Sequence, residues 1–405
     1  MAAIRSSVLG STSTSIALAS VAAGMALGFA LPTRADEVET TWYERIDVSG
    51  DFRARSEAFV IADVPDRHRL RYRLRLGAKT EINDHIDVGF RFATGPGANS
   101  SNQTLGSRTD FDPDGIFIDR AYLSFKPYGS EKPLFGDSLA VTFGKMPNPF
   151  KPKGMGPALL IWDGDQMPEG VALGWSATPS DRWSANFDVA YYVIDENIFS
   201  RDPEIFAVQL DNDFKLNDRA HFKSQVSYYA LRKLNGDFFT RSTGFKTPME
   251  LELSFGGNTS GLSNNNKIDL IEFHGAMILR GSEDWPLTLW GNLIYNASAT
   301  GTGVSKQNLG FGVGIEAGSK TAIAKLGLGY FQIEADAVPS TLGDSDIFDG
   351  LTNGKGFQAF VTRRLWKNTD FDLTAYFGKR LKDVPAQLRT PAKRIRIQTD
   401  ITIQF

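Results

Sequence analysis

The chain has 405 residues, 22% of them charged and 41% hydrophobic, with 44 basic against 47 acidic side chains and no cysteine. The missing thiol excludes disulfide cross-links, cysteine-based metal centres and covalent haem attachment through a C-x-x-C-H run. The near balance of charge excludes a domain that binds nucleic acid through overall basicity, so no nucleic-acid partner is expected.

The first element is apolar. Residues 16–31, IALASVAAGMALGFAL, follow Arg5 and a run rich in serine and threonine, and end at PTRADE. The run is short for a membrane-spanning helix, and Thr33 and Ala35 set small side chains before a cleavage point after Ala35. Residues 1–35 are therefore expected to be a secretory signal peptide and 36–405 the exported chain. Losing Arg5 and Arg34 leaves 42 basic against 47 acidic residues in that chain. Any basic stripe on it is then a local device.

From residue 42 onward almost every segment alternates apolar and polar positions. The first strand carries Arg45, Arg53 and Arg55 on one face, interleaved with Asp47 and Asp51. The next, RHRLRYRLRLGAK over 67–79, places Arg67, Arg69, Arg71, Arg73, Arg75 and Lys79 on one parity and Leu70, Tyr72, Leu74 and Leu76 on the other. A helix turns about 100° per residue and would scatter both sets around its axis, whereas a strand sends them to opposite faces. Alternation continues through Ile86, Val88, Phe90 and Phe92, through Leu139, Val141 and Phe143, and on to Ile395, Ile397, Ile401 and Ile403.

The connections alternate as well. Short ones fall at 82–85, 178–182, 215–219, 281–284, 318–320 and 366–370. Long ones, rich in Gly, Asn, Ser and Asp, fall at 57–66, 94–115, 145–169, 194–203, 232–267, 298–307, 335–354 and 382–392. Trp175, Trp183, Trp285 and Trp366 flank short turns, as an interfacial aromatic girdle requires. Strands of about 10 residues joined by alternating short turns and long loops predict an all-β, transmembrane antiparallel β-barrel of about 16 strands. The segment MELELSF, 249–255, also alternates. It is read as a hairpin within the loop 232–267, and an 18-strand barrel is the alternative.

In such a barrel the apolar parity of 70–76 meets lipid and the arginines meet the lumen. A slip of one residue would put five arginines into lipid at about 2–4 kcal/mol each near the midplane, so the register is strongly set. Arg67 to Arg75 extends about 27 Å at the rise of a strand, close to the hydrocarbon thickness. Arg53, Arg55, Arg67, Arg69, Arg71, Arg73, Arg75 and Lys79 are thus the candidate pore-lining basic ladder.

The runs FGKMPNPF, IWDGDQMPEGVAL, RLRYRLRLGAK and DRAYLSFKP resemble the bacterial putative porin family over nearly the whole exported chain, with a weaker resemblance to phosphate-selective porins. The resemblance implies a channel-forming outer-membrane barrel. It also implies that the third outer loop, 145–169, folds inward as in 16-stranded porins and sets Asp163, Asp165 and Glu169 opposite the basic wall as constriction acids. The other reading of these acids is a solvated external loop. The final strand KRIRIQTDITIQF ends on Phe405, which resembles the sorting signal read by the barrel-assembly machinery. Outer-membrane lipid and lipopolysaccharide, small hydrophilic solutes and ions, and a homotrimer are the implied partners.

The expected function is passive diffusion of ions and small hydrophilic solutes through a water-filled channel of a Gram-negative outer membrane. An anion- or phosphate-selective porin and the barrel sheath of a cytochrome electron conduit are the alternatives. No enzyme, metal or cofactor is expected: His68, His85, His221 and His274 lie on separate strands, with no H-E-x-x-H or G-x-S-x-G spacing.

Overall fold

The computed structural model describes residues 42–61, 65–95, 100–107, 112–157, 160–198, 201–234, 258, 262, 266–282, 284–300, 306–382 and 393–405. The expected signal peptide and the segment 249–255 lie outside them. A 3-10 turn, Trp42–Arg45, leads into β1 (Asp47–Ile61), β2 (Arg67–Asn83) and β3 (Ile86–Thr94). A two-residue strand β4 (Gln103–Thr104) sits inside the second long connection. The wall continues with β5 (Ile116–Phe125), β6 (Ser138–Lys145), β7 (Glu169–Ser180), β8 (Trp183–Val193), β9 (Glu204–Asn217) and β10 (Ala220–Arg232). It is completed by β11 (Ile268–Leu279), β12 (Leu287–Asn296), β13 (Leu309–Gly318), β14 (Lys325–Ile333), β15 (Gly354–Trp366), β16 (Thr369–Arg380) and β17 (Arg394–Gln404).

Leaving β4 aside, these make a closed antiparallel barrel of 16 strands, each paired with its neighbours in sequence. Closure is made by β1 and β17, paired from Asp51 with Gln404 to Ile61 with Arg394. Their shared end is fastened by Gly50, whose N–H donates to Phe405 O at 2.8 Å while its carbonyl accepts from the Phe405 N–H at 3.1 Å. A closed sheet satisfies every ladder group internally, which is what a bilayer demands of a strand-built span.

The two faces of each strand have opposite chemistry. Leu70 and Leu76 are 58% and 44% exposed on the outer face, while Arg71 and Arg73 between them are 8% exposed. Phe52, Phe90, Leu123, Val226, Leu293 and Val313 continue the outward apolar row on other strands. Trp183, Trp285 and Trp366 are exposed beside short connections. Within the barrel lies an apolar cluster in which Met146, Phe150, Leu160, Ile161 and Trp162 of the loop 146–168 pack against inward residues such as Tyr192, Tyr229, Leu231, Trp290 and Phe331. Loop 3 therefore folds inward.

Its stem shows how it turns. Gly144 and Gly170 are paired across β6 and β7 and have φ of +113° and +153°. A Cβ on them would stand 2.4 Å from Ala121 O and 2.1 Å from Tyr191 O, so the wall approaches these two positions too closely for any side chain.

Candidate functional site in the barrel lumen

Three adjacent strands carry the charged wall. The register sets Arg53 beside Arg73 and Arg55 beside Arg71 on β2, while Arg55 faces Asp400 and Glu57 faces Gln398 on β17. Two rungs thus bring arginine against arginine, a repulsive arrangement that acids above, below and across must offset. Asp51 accepts from Arg73 Nε at 2.8 Å and Arg75 Nε at 2.6 Å. Asp400 accepts from Arg55 through Nε and a terminal nitrogen, both at 2.7 Å, and stands 3.8 Å from Arg53. Glu57, 1% exposed, binds Arg69, accepts from Arg396 Nε at 2.7 Å and Gln398 Nε2 at 3.0 Å, and lies 3.7 Å from Arg71. Phe59 continues the inward row, with the guanidinium carbons of Arg69, Arg396 and Arg394 at 5.0, 5.2 and 5.6 Å from its ring centre.

Three connections reach this wall from the lumen. From the connection between β14 and β15, Asp346 accepts from Arg396 at 2.8 Å and Gln398 at 2.9 Å and sits 3.5 Å from Arg55. From loop 3, Asp165 accepts from the Ser101 backbone N–H at 2.8 Å and the Ser101 hydroxyl at 2.9 Å, 3.9 Å from Arg75. Ser100 and the Asn102 carbonyl, beside β4, each accept from Arg71 at 2.9 Å, and Asn102 Oδ1 accepts from Arg53 at 2.5 Å. The bases are mostly committed to partners.

Loop 3 crosses the lumen by holding the opposite wall through its backbone. Gln209 donates to Pro149 O at 3.2 Å, Gln225 to Phe150 O at 3.3 Å, and His274 Nε2 meets Met155 O at 2.7 Å. At its tip Asp163 accepts from the Ser345 N–H at 2.7 Å and donates its own N–H to Leu342 O at 3.1 Å. Burial, reinforced by the Asp165 charge, pushes the Asp163 carboxyl up to about 6. Burial and the charges of Asp163 and Asp346 push Asp344 well above the usual carboxylate range. Burial opposes ionisation of Asp346 too, but Arg396 and Arg55 overcome it and hold that carboxyl low. Asp165 behaves likewise, with burial outweighed by the Ser101 N–H and Arg73. Neighbouring loop acids are thus split into a pair held ionised by arginine, Asp165 and Asp346, and a pair whose ionisation burial and like charge oppose, Asp163 and Asp344.

A family model described as "Putative porin" matches residues 60–254. Over these residues the chain is similar to the putative porin family. No curated protein matches it. The high-pH structure of Pseudomonas putida OprB is similar at a TM-score of 0.56 and 11% identity, covering 90% of this chain and 95% of that one. The outer membrane channel DcaP of Acinetobacter baumannii is similar at a TM-score of 0.51 and 13% identity, covering 90% of this chain and 99% of that one. At such identities the likeness is one of fold. The match over 60–254 and the fold of these neighbours support an integral outer-membrane β-barrel of the channel-forming kind.

Within this barrel the residues singled out in the sequence do not all meet. Arg53, Arg55, Arg69, Arg71, Arg73 and Arg75 face inward in one charged network. Arg67 is exposed at the end of β2 beside the long loops, and Lys79, at the other end, is 3.5 Å from Asp87. Arg45 lies in the 3-10 turn ahead of β1 and donates to Ile82 O at 3.0 Å, so it is not part of the β1 face. Glu169 also departs from expectation. It is exposed at the first position of β7, on the parity of outward Val171, and its carboxylate meets Lys145 Nζ at 2.5 Å, apart from Asp163 and Asp165. Sequence reasoning missed Arg396 and Asp400, although KRIRIQTD holds both on the inward parity, and missed Glu57 in FRARSEAF. Asp346 carries no periodic signal, because only the fold of its loop delivers it.

Proposed function

We propose that the porin is a passive diffusion channel for ions and small hydrophilic solutes, exported by residues 1–35 and assembled through its Phe405-terminated last strand. Its selective cross-section lies beside the contact of loop 3 with the arginine wall. The observation that carries this is the approach of Asp165 to Arg75 at 3.9 Å, with Arg53, Arg73 and Asp51 beside them. The ionised acids and arginines clustered at this contact set up a strong local field in the adjoining water, which orders polar solutes and penalises apolar ones.

The wall joins Arg53, Arg55, Arg69, Arg71, Arg73, Arg75 and Arg396 with the acids Asp51, Glu57, Asp165, Asp346 and Asp400. Cations outnumber anions by two, which favours weak anion preference. Committed guanidinium groups support a general pore over a phosphate relay, which needs free donors. Loop 3 and the connection 334–353 occupy the lumen, which weighs against a sheath for a cytochrome. A homotrimer is part of the same proposal by analogy with 16-stranded porins.

Reversal potentials across a planar bilayer in a potassium chloride gradient test it. Changing Arg53, Arg71 and Arg73 together to Gln is expected to move the potential toward cations, and Asp163→Asn with Asp165→Asn toward anions. Both shifts grow as salt falls, because the screening length is about 10 Å at 0.1 M and lengthens below it. Persistent conductance with both potentials unmoved would remove these residues from the conducting path.

A further inference from the structure

The outer surface carries one cationic row that the channel does not use. Lys355 on β15 is the direct register partner of Lys379 on β16. Lys393 precedes Arg394, which pairs with Gly378, so it stands level with Lys379 on the next strand. Lys355 shares the parity of outward Phe357, and Lys379 that of outward Phe377, so the ammonium groups belong to the lipid side of the wall. The three sit where β15, β16 and β17 meet long connections, at the outer rim.

Below them is a groove of about 610 Å³ between strands, floored by Phe357, Phe377 and Ile395 with Tyr330 at one side. The Tyr330 and Phe357 rings pack at 5.1 Å. Among the described residues no carboxylate pairs with Lys355, Lys379 or Lys393. Like charges on directly opposed positions of neighbouring strands repel at about 5 Å, and an uncompensated row of three is stabilised by an anion bound across it. At this depth the anion must stand at a headgroup while an apolar body lies on the aromatic floor.

We propose that Lys355, Lys379 and Lys393 bind the phosphates of an acylated saccharolipid of the outer leaflet, with one acyl chain lying in the Phe357–Phe377–Ile395 groove. The chemistry is that of lipid A: compact phosphate charge directly above saturated chains. Lysines near a membrane surface each draw anionic lipid toward them, and three on adjacent strands act on one headgroup together.

The test is native mass spectrometry of the detergent-purified porin titrated with bisphosphorylated lipid A, with dephosphorylated lipid A and phosphatidylglycerol as comparisons and inorganic phosphate as competitor. The wild type is expected to hold bisphosphorylated lipid A at least about tenfold more strongly than either comparison lipid. K355Q/K379Q/K393Q is expected to lose at least about tenfold of that affinity, whereas R182Q/R219Q/K367Q at the opposite rim keeps it. Unchanged binding by the lysine triple, equal loss in the opposite-rim triple, equal binding of phosphatidylglycerol, or displacement by inorganic phosphate would each overturn the proposal. Should the lysine triple not assemble, K379Q alone and F357A/F377A are read by the same measure, and wild-type binding in both would overturn it equally.

Discussion

Glu57 is the residue on which the arginine wall depends most. It sits between two arginines of β2 and Arg396 of β17 with no contact to water, so removing it strands several guanidinium groups in a partly desolvated wall. Breaking a buried pair from one side costs about 3–5 kcal/mol, well above the worth of an exposed pair. Glu57→Ala is therefore expected to lower stability by at least about 3 kcal/mol in denaturant unfolding from detergent, while Lys132→Ala, which loses an exposed pair with Asp137, changes it by less than about 1 kcal/mol. Asp163 supplies the pH dependence. With its carboxyl raised to about 6, it is ionised at pH 7 and protonated at pH 5, so the reversal potential should move toward anions between these values. A raised acid pKa means that the fold favours the protonated form, and this group costs no stability as pH falls through that window. The same titration on Asp163→Asn should show a clearly smaller shift there, the remainder coming from other raised acids such as Asp344.

At the scale of elements, the strands were legible and the loops were not. Period-two alternation named both faces of β2, because the parity that crosses the hydrocarbon is apolar and charge on it is confined to strand ends. The same rule, applied to Glu169, would have placed it outward with Val171 and Leu173. Its nearness in sequence to Asp163 and Asp165 had assigned it to the constriction instead. The inward fold of loop 3 was implied by resemblance, but its partners, the side chains of Gln209, Gln225 and His274, come from three separate strands, and no local pattern in FGKMPNPF specifies them. The terminal strand invites its own prediction. Phe405 joins β1 through the backbone pair with Gly50 and through its ring, which lies over that glycine so closely that a Cβ there would stand 2.6 Å from it, and the residue is 56% exposed on the outer surface. Deleting it, or changing Ile401 and Ile403 to Lys, should deplete the porin from the outer membrane with synthesis unchanged, read by fractionation and heat-modifiable gel migration.

For the whole molecule, one alternation carries both the insertion and the channel. The apolar parity sets the barrel in lipid, and the other parity builds a wall of paired charge that loop 3 and the connection 334–353 meet from within. The division is read residue by residue, and the chain's lack of cysteine makes the reading clean. The most direct measurement is current through single-cysteine porins treated with a membrane-impermeant, charged methanethiosulfonate. Arg75→Cys, on the inward parity beside Asp51 and Asp165, should react and change the current severalfold, while its neighbour Leu76→Cys, 44% exposed toward lipid, should leave it unchanged. Current altered through Leu76→Cys and untouched through Arg75→Cys would contradict the inward wall.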